Sequence, residues 1–150
     1  MTKAAVTVAS FVLALLVTSC ASTGKTNKIE GRRYTIPENL KKIGMEVVTN
    51  GDTCTISFDA NSTTGYAWEY SLDKDGVIRE STNYYVENEH KEGMVGYGGR
   101  QYYVFKAVKT GTTTATFIYR RPWEGGEQAY VATVYFEVDA DKNIYVANIH

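Results

Sequence analysis

Hydrophobic and polar residues alternate in short runs along most of this chain. In 53–59, Cys54, Ile56 and Phe58 fall on one face, and Thr55, Ser57 and Asp59 on the other. In 112–120, Ala115, Phe117 and Tyr119 share a face. Ala132, Val134, Phe136 and Val138 do the same in 128–138. Weaker runs at 46–49, 66–72 and 101–109 read as further strands, with a short terminal one at 144–146. Residues 83–89 carry Tyr85, Glu87 and Glu89 on one face and Tyr84, Val86 and Asn88 on the other, as in a half-exposed strand. Turn formers separate the runs: Asn50-Gly51-Asp52, which suits a hairpin, then Asp73-Lys74-Asp75-Gly76 and Thr110-Gly111. No segment shows a convincing helical period. The pattern predicts an all-β sandwich.

Composition sharpens this picture. The chain has 150 residues, enough for one domain with a core. Twelve Tyr, five Phe and many Thr and Val favour strands over helices. The formal net charge is −1, so no strong field points to nucleic acid.

The N-terminus has its own pattern. Lys3 precedes an apolar stretch, Ala4 to Val17, whose length suits a signal-peptide core better than a membrane span. It closes as Leu16-Val17-Thr18-Ser19-Cys20, which resembles a bacterial lipobox. That resemblance implies a signal peptide over 1–19, cleavage before Cys20 and lipidation of its thiol. The expected location is the cell envelope, on the outer membrane where there is one, or outside the cell if the lipobox is not used. Residues 20–33 read as a flexible tether and 34–150 as the folded domain. Contact with a membrane is expected through the lipid anchor alone. Cys20 and Cys54 serve different segments, so no disulfide between them is expected; Cys54 reads as a small buried hydrophobe.

Three loop-forming stretches stand between strands and carry the candidate chemistry. The first is Asn61-Ser62-Thr63-Thr64-Gly65-Tyr66, running into Ala67 and Trp68. Trp68 alternates with Tyr66 and is expected in the core. The second lies in the glycine-rich segment 90–100 and contains Met94-Val95-Gly96-Tyr97-Gly98-Gly99. The third is Arg121-Pro122-Trp123-Glu124, with two glycines just after it, where an exposed tryptophan is the expectation. Loops of this kind on a rigid scaffold are where binding residues concentrate.

These three stretches resemble, in order and spacing, the loops of the chagasin family, inhibitors of papain-like cysteine proteases. The family's Asn-Pro-Thr-Thr-Gly-Tyr corresponds to Asn61–Tyr66, its Gly-x-Gly-Gly to Gly96–Gly99, and its Arg-Pro-Trp to Arg121–Trp123. The resemblance runs from about residue 43 to residue 138. It implies an immunoglobulin-like β-sandwich with three inhibitory loops at one end, acting as a wedge that plugs a protease cleft reversibly and tightly. The first loop would lie at the centre, with Thr63 nearest the protease's catalytic cysteine and histidine. Trp123 would pack on an aromatic surface on the leaving-group side, while Arg121 and Pro122 shape that loop and touch the rim. The second loop would cover the other side, with Val95 and Met94 at the specificity pocket. Ser62 stands where the family has Pro. The loss of a fixed φ implies a looser free loop, which Ser62 can offset by bonding to the local backbone.

An enzyme is not expected. The chain's histidines are His90 and the terminal His150, and a nucleophile–base–acid set would need Cys54 out of the core. No metal-ligand spacing or cofactor signature appears. Glu87 and Glu89 share one strand face and read as a solvated surface. The competing reading is a lipid-anchored adhesion or envelope-assembly module with an immunoglobulin-like fold. Such a module would use a sheet face or an edge, whereas an inhibitor depends on the loops.

Overall fold

A computed structural model of the chain describes residues 34–89, 93, 96–123 and 125–150. The expected signal peptide, Cys20 and the tether lie outside these residues, as do Met94, Val95 and Glu124. The described chain opens with a short helical turn, α1 (Glu38–Lys41), and continues through eight strands. These are β1 (Glu46–Asn50), β2 (Thr53–Ala60), β3 (Ala67–Leu72), β4 (Ile78–Glu87), β5 (Gly99–Ala107), β6 (Gly111–Arg120), β7 (Gln128–Val138) and β8 (Ile144–Ile149). A 3-10 turn, Ser62–Thr64, sits between β2 and β3.

The strands form two four-stranded antiparallel sheets, ordered β1-β2-β5-β4 and β3-β6-β7-β8. Their inner faces make the core of a β-sandwich, as the alternation predicts. Cys54, Ile56, Phe58 and Phe105 of the first sheet are fully buried, as are Ala115, Phe117, Ala132 and Val134 of the second. Phe58 on β2 stacks on Trp68 of β3 at 4.0 Å between centroids, so an aromatic pair spans the two sheets. The Tyr103 hydroxyl on β5 donates to the Trp68 carbonyl at 2.7 Å, a second cross-sheet tie. Trp68 is therefore core, and its indole N–H donates to the Asp59 carbonyl at 3.0 Å. Burial pushes the Cys54 thiol up to about 12, consistent with a packing role.

Pair register fixes where the loops emerge. Gly99 at the start of β5 pairs on one side with Ala60 at the end of β2 and on the other with Glu87 at the end of β4. In the other sheet Ala67 at the start of β3 pairs with Arg120 at the end of β6, which pairs with Gln128 at the start of β7. The short connection from Ala60 to Ala67 ties the two sets together. The β2–β3, β4–β5 and β6–β7 loops thus leave the sandwich at one end.

Four features depart from the pattern-based expectations. The helical turn at 38–41 is too short for a period, and it is held by tertiary burial of Leu40, which is 0% exposed. β4 begins at Ile78 rather than Asn83; a register shift between Glu80 and Thr82 breaks its alternation. β5 begins at Gly99, so that residue belongs to a strand and is buried; it was expected in the second loop. Ser57, expected on the outer face, is also buried, because Arg100 lies over it and bonds its hydroxyl at 2.8 Å. Arg100 further reaches the Gly44 carbonyl at 2.7 Å and the Asp59 carboxylate at 3.1 Å, bracing the sheet at its loop end.

Candidate protease-binding site

The first loop takes its shape from its own side chains. Asn61 caps the 3-10 turn: its Oδ1 accepts from the Thr63 N–H at 3.1 Å and from the Thr63 hydroxyl at 2.6 Å. The Thr64 hydroxyl donates to the Asn61 carbonyl at 2.7 Å. Gly65 ends the turn at φ +77°, a left-handed conformation that glycine adopts without the Cβ penalty. The local bonding expected of Ser62 is thus supplied by Asn61 and Thr64. Ser62, Thr63 and Thr64 stand exposed at the tip.

Asn61 also fixes the loop to its surroundings. Its N–H donates to the Tyr119 hydroxyl on β6 at 3.1 Å, and its Nδ2 donates to the Gly96 carbonyl of the second loop at 3.1 Å. The second loop is closed by the Asn88 N–H donating to the Gly98 carbonyl at 3.0 Å. A Cβ on Gly98 would lie 2.9 Å from the Ala60 carbonyl oxygen, and one on Gly99 would run into the Val86 carbonyl and the Tyr85 ring. Gly98 lets the second loop press against the root of the first, and Gly99 lets β5 lie close against β4. Gly99 therefore acts as a spacer within β5.

The third loop leans on the first from the other side. The Trp123 ring, 55% exposed, lies over Gly65. The Arg121 guanidinium sits 4.8 Å from the Tyr66 ring centre and 5.7 Å from that of Trp123. Tyr66 stacks on Tyr119 at 5.2 Å and donates its hydroxyl to Glu127 Oε2 at 2.6 Å. That bond is the main reason the Tyr66 phenol is held above its ordinary value. The Arg121 N–H donates to the Glu127 carbonyl at 3.0 Å, and the Gly126 N–H to the Trp123 carbonyl at 2.9 Å, closing the loop's neck.

The structure thus brings Asn61–Tyr66, Gly96–Gly99 and Arg121–Trp123 to one end, with the first loop central. Pro122, exposed beside Trp123, belongs to the same surface. Sequence reasoning did not single out Tyr119 or Glu127 for the site. Alternation places Tyr119 only on a strand face, and Glu127 marks only the end of the third loop, which runs from Arg121 to Glu127.

Known proteins resemble this chain in sequence. The model of the chagasin family of peptidase inhibitors, I42, matches residues 47–138. Amoebiasin-2 of Entamoeba histolytica is 32% identical over 90 residues, covering 59% of this chain and 71% of the amoebiasin. Chagasin of Trypanosoma cruzi is 31% identical over 84 residues, covering 52% of this chain and 73% of chagasin. The crystal structure of the cysteine protease inhibitor EhICP2 from Entamoeba histolytica superposes with a TM-score of 0.49 at 32% identity, over 57% of this chain and 77% of that one. With the family match spanning more than half of its residues, the protein belongs to the chagasin family of peptidase inhibitors, which are not enzymes.

Proposed function

We propose that this protein is a reversible, tight-binding inhibitor of papain-like cysteine proteases, which it blocks by lodging the three-loop end in the active-site cleft. One observation carries the reading: the exposed tip Ser62–Thr64 is fastened on both sides, by Asn61 to Gly96 and by Gly65 and Tyr66 to the third loop. A preordered tip loses little conformational entropy on binding.

The tip resists cleavage for a geometric reason. Its backbone is a 3-10 turn, whereas a scissile peptide lies extended. The Asn61 carbonyl already accepts from Thr64 N–H and hydroxyl, and the Ser62 carbonyl from Gly65 N–H at 3.3 Å. These bonds hold the backbone in the turn and away from the extended shape of a scissile peptide. Thr63 faces the catalytic cysteine and histidine of the protease. Trp123 packs on the leaving-group side of the cleft, with Arg121, Pro122 and Glu124 along its rim. Met94 and Val95 of the second loop meet the specificity pocket.

The lipobox-like sequence supports a further part of the reading. Cys20 carries lipid, residues 20–33 tether the domain, and the inhibitor works from the cell envelope. Replacing Cys20 by Ser is expected to move the protein from the membrane fraction to the soluble exported fraction; unchanged partitioning would refute the anchor.

The test of function is inhibition of papain by the purified protein, with Trp123→Ala beside it. Competitive, reversible inhibition is expected, weakened by about 2–4 kcal/mol in the variant. A folded wild-type protein that leaves papain and related enzymes uninhibited would overturn the proposal.

A further inference from the structure

Glu127 lies outside all three motifs, yet it holds both the first loop and the third. Its carboxylate takes the Tyr66 hydroxyl at 2.6 Å, and its carbonyl takes the Arg121 N–H at 3.0 Å. Tyr66 in turn carries the Arg121 guanidinium at 4.8 Å, and Arg121 reaches the Trp123 ring at 5.7 Å. The chain of contacts is thus anion, phenol, cation, indole. A phenol that donates to a carboxylate gains electron density on its ring, which strengthens the ring's hold on a cation. Without the Glu127 carboxylate the Tyr66 hydroxyl would turn to water and Arg121 would lose its polarised platform, while the backbone bond at the loop's neck would stay.

We infer that Glu127 is a positioning residue for the inhibitory surface: acting through Tyr66 and Arg121, it sets the pose in which Trp123 stands over Gly65 before any protease arrives. The inference rests on the reading of the three-loop end as the protease-binding surface.

Glu127→Ala, Glu127→Gln and Tyr66→Phe, each made with Trp123 present and with Trp123→Ala, separate positioning from general support. Inhibition of papain gives one readout. Acrylamide quenching of tryptophan fluorescence in the free protein gives another, because Trp68 is buried and Trp123 is the more accessible of the two tryptophans. Glu127→Ala and Tyr66→Phe should each weaken inhibition by about tenfold, the loss of roughly one charge-assisted hydrogen bond. Glu127→Gln keeps an acceptor and should recover most of that loss. In the Trp123→Ala background Glu127→Ala should change inhibition no further. Quenching should rise in Glu127→Ala and stay near wild type in Glu127→Gln.

Equal losses with and without Trp123, or unchanged inhibition and quenching in Glu127→Ala, would overturn the inference and leave the inhibitory function standing. If the wild type does not inhibit, the functional reading falls by itself; quenching then decides the positioning role, and unchanged quenching refutes it.

Discussion

The ring of Trp123 occupies the space in which a side chain on residue 65 would stand: a Cβ on Gly65 would lie 2.9 Å from Trp123 Cη2. Glycine is therefore needed twice at this position, for its φ of +77° and for the room it leaves. Gly65→Ala should cost about 1–2 kcal/mol of stability from the left-handed backbone. It should also displace Trp123 and weaken protease inhibition. Gly76→Ala is the control, since Gly76 has a similar φ of +83° with open space around it. That variant should lose comparable stability in denaturant titrations with inhibition unchanged. Equal effects of the two on inhibition would separate Trp123 from Gly65.

Asn61 joins the first two loops while capping the turn between β2 and β3. Asn61→Ala removes the Oδ1 acceptor for Thr63 and the Nδ2 donor to Gly96. Loss of a cap of this kind costs about 1 kcal/mol. Faster amide exchange at Thr63 and in the second loop is expected, together with slower association with the protease. Unaltered exchange at Thr63 would show that the cap is not what orders the tip.

Ser62 begins the 3-10 turn, a first helical position where proline is tolerated, and Asn61 before it is extended at φ −138° and ψ 97°. Ser62→Pro should therefore fit. It should stabilise the fold by about 0.4–1 kcal/mol by restricting the unfolded chain, with inhibition kept or improved. A loss of stability would mean that the turn needs the Ser62 N–H or a different φ.

Asp73 carries a pH dependence. The Thr114 N–H at 2.6 Å and the Thr113 hydroxyl at 2.8 Å hold its carboxyl below the usual carboxylate range. A carboxyl lowered in the folded state favours folding above its unfolded value, about 3.9. That contribution disappears as pH falls through the lowered folded value. Asp73→Asn should be less stable at neutral pH, and its stability should fall less steeply between about pH 5 and 2. An acid limb as steep as wild type would assign the dependence to other groups.

Much of this fold was legible from alternation. The inward set Cys54, Ile56 and Phe58, and the set Ala132, Val134, Phe136 and Val138, follow from period two alone, because each strand buries one face. β4 was half missed for the same reason read in reverse. A bulge at Ser81 and exposure of both Tyr84 and Val86 erase the pattern. The burial of Ser57 was invisible because its cover, Arg100, comes from a strand some forty residues away.

The sequence by itself determined the strands of the core, the loop chemistry of Asn61, Gly65 and Trp123, and the family to which the motifs belong. Those are local properties of side-chain period, φ preference and hydrogen-bonding type. Only the tertiary structure decided that Gly96 would meet Asn61, that Trp123 would rest on Gly65, and that Glu127 would receive Tyr66. These contacts join residues 35 to 61 positions apart in the chain, and strand register brings them together at one end of the sandwich. No local preference of either partner encodes such a meeting.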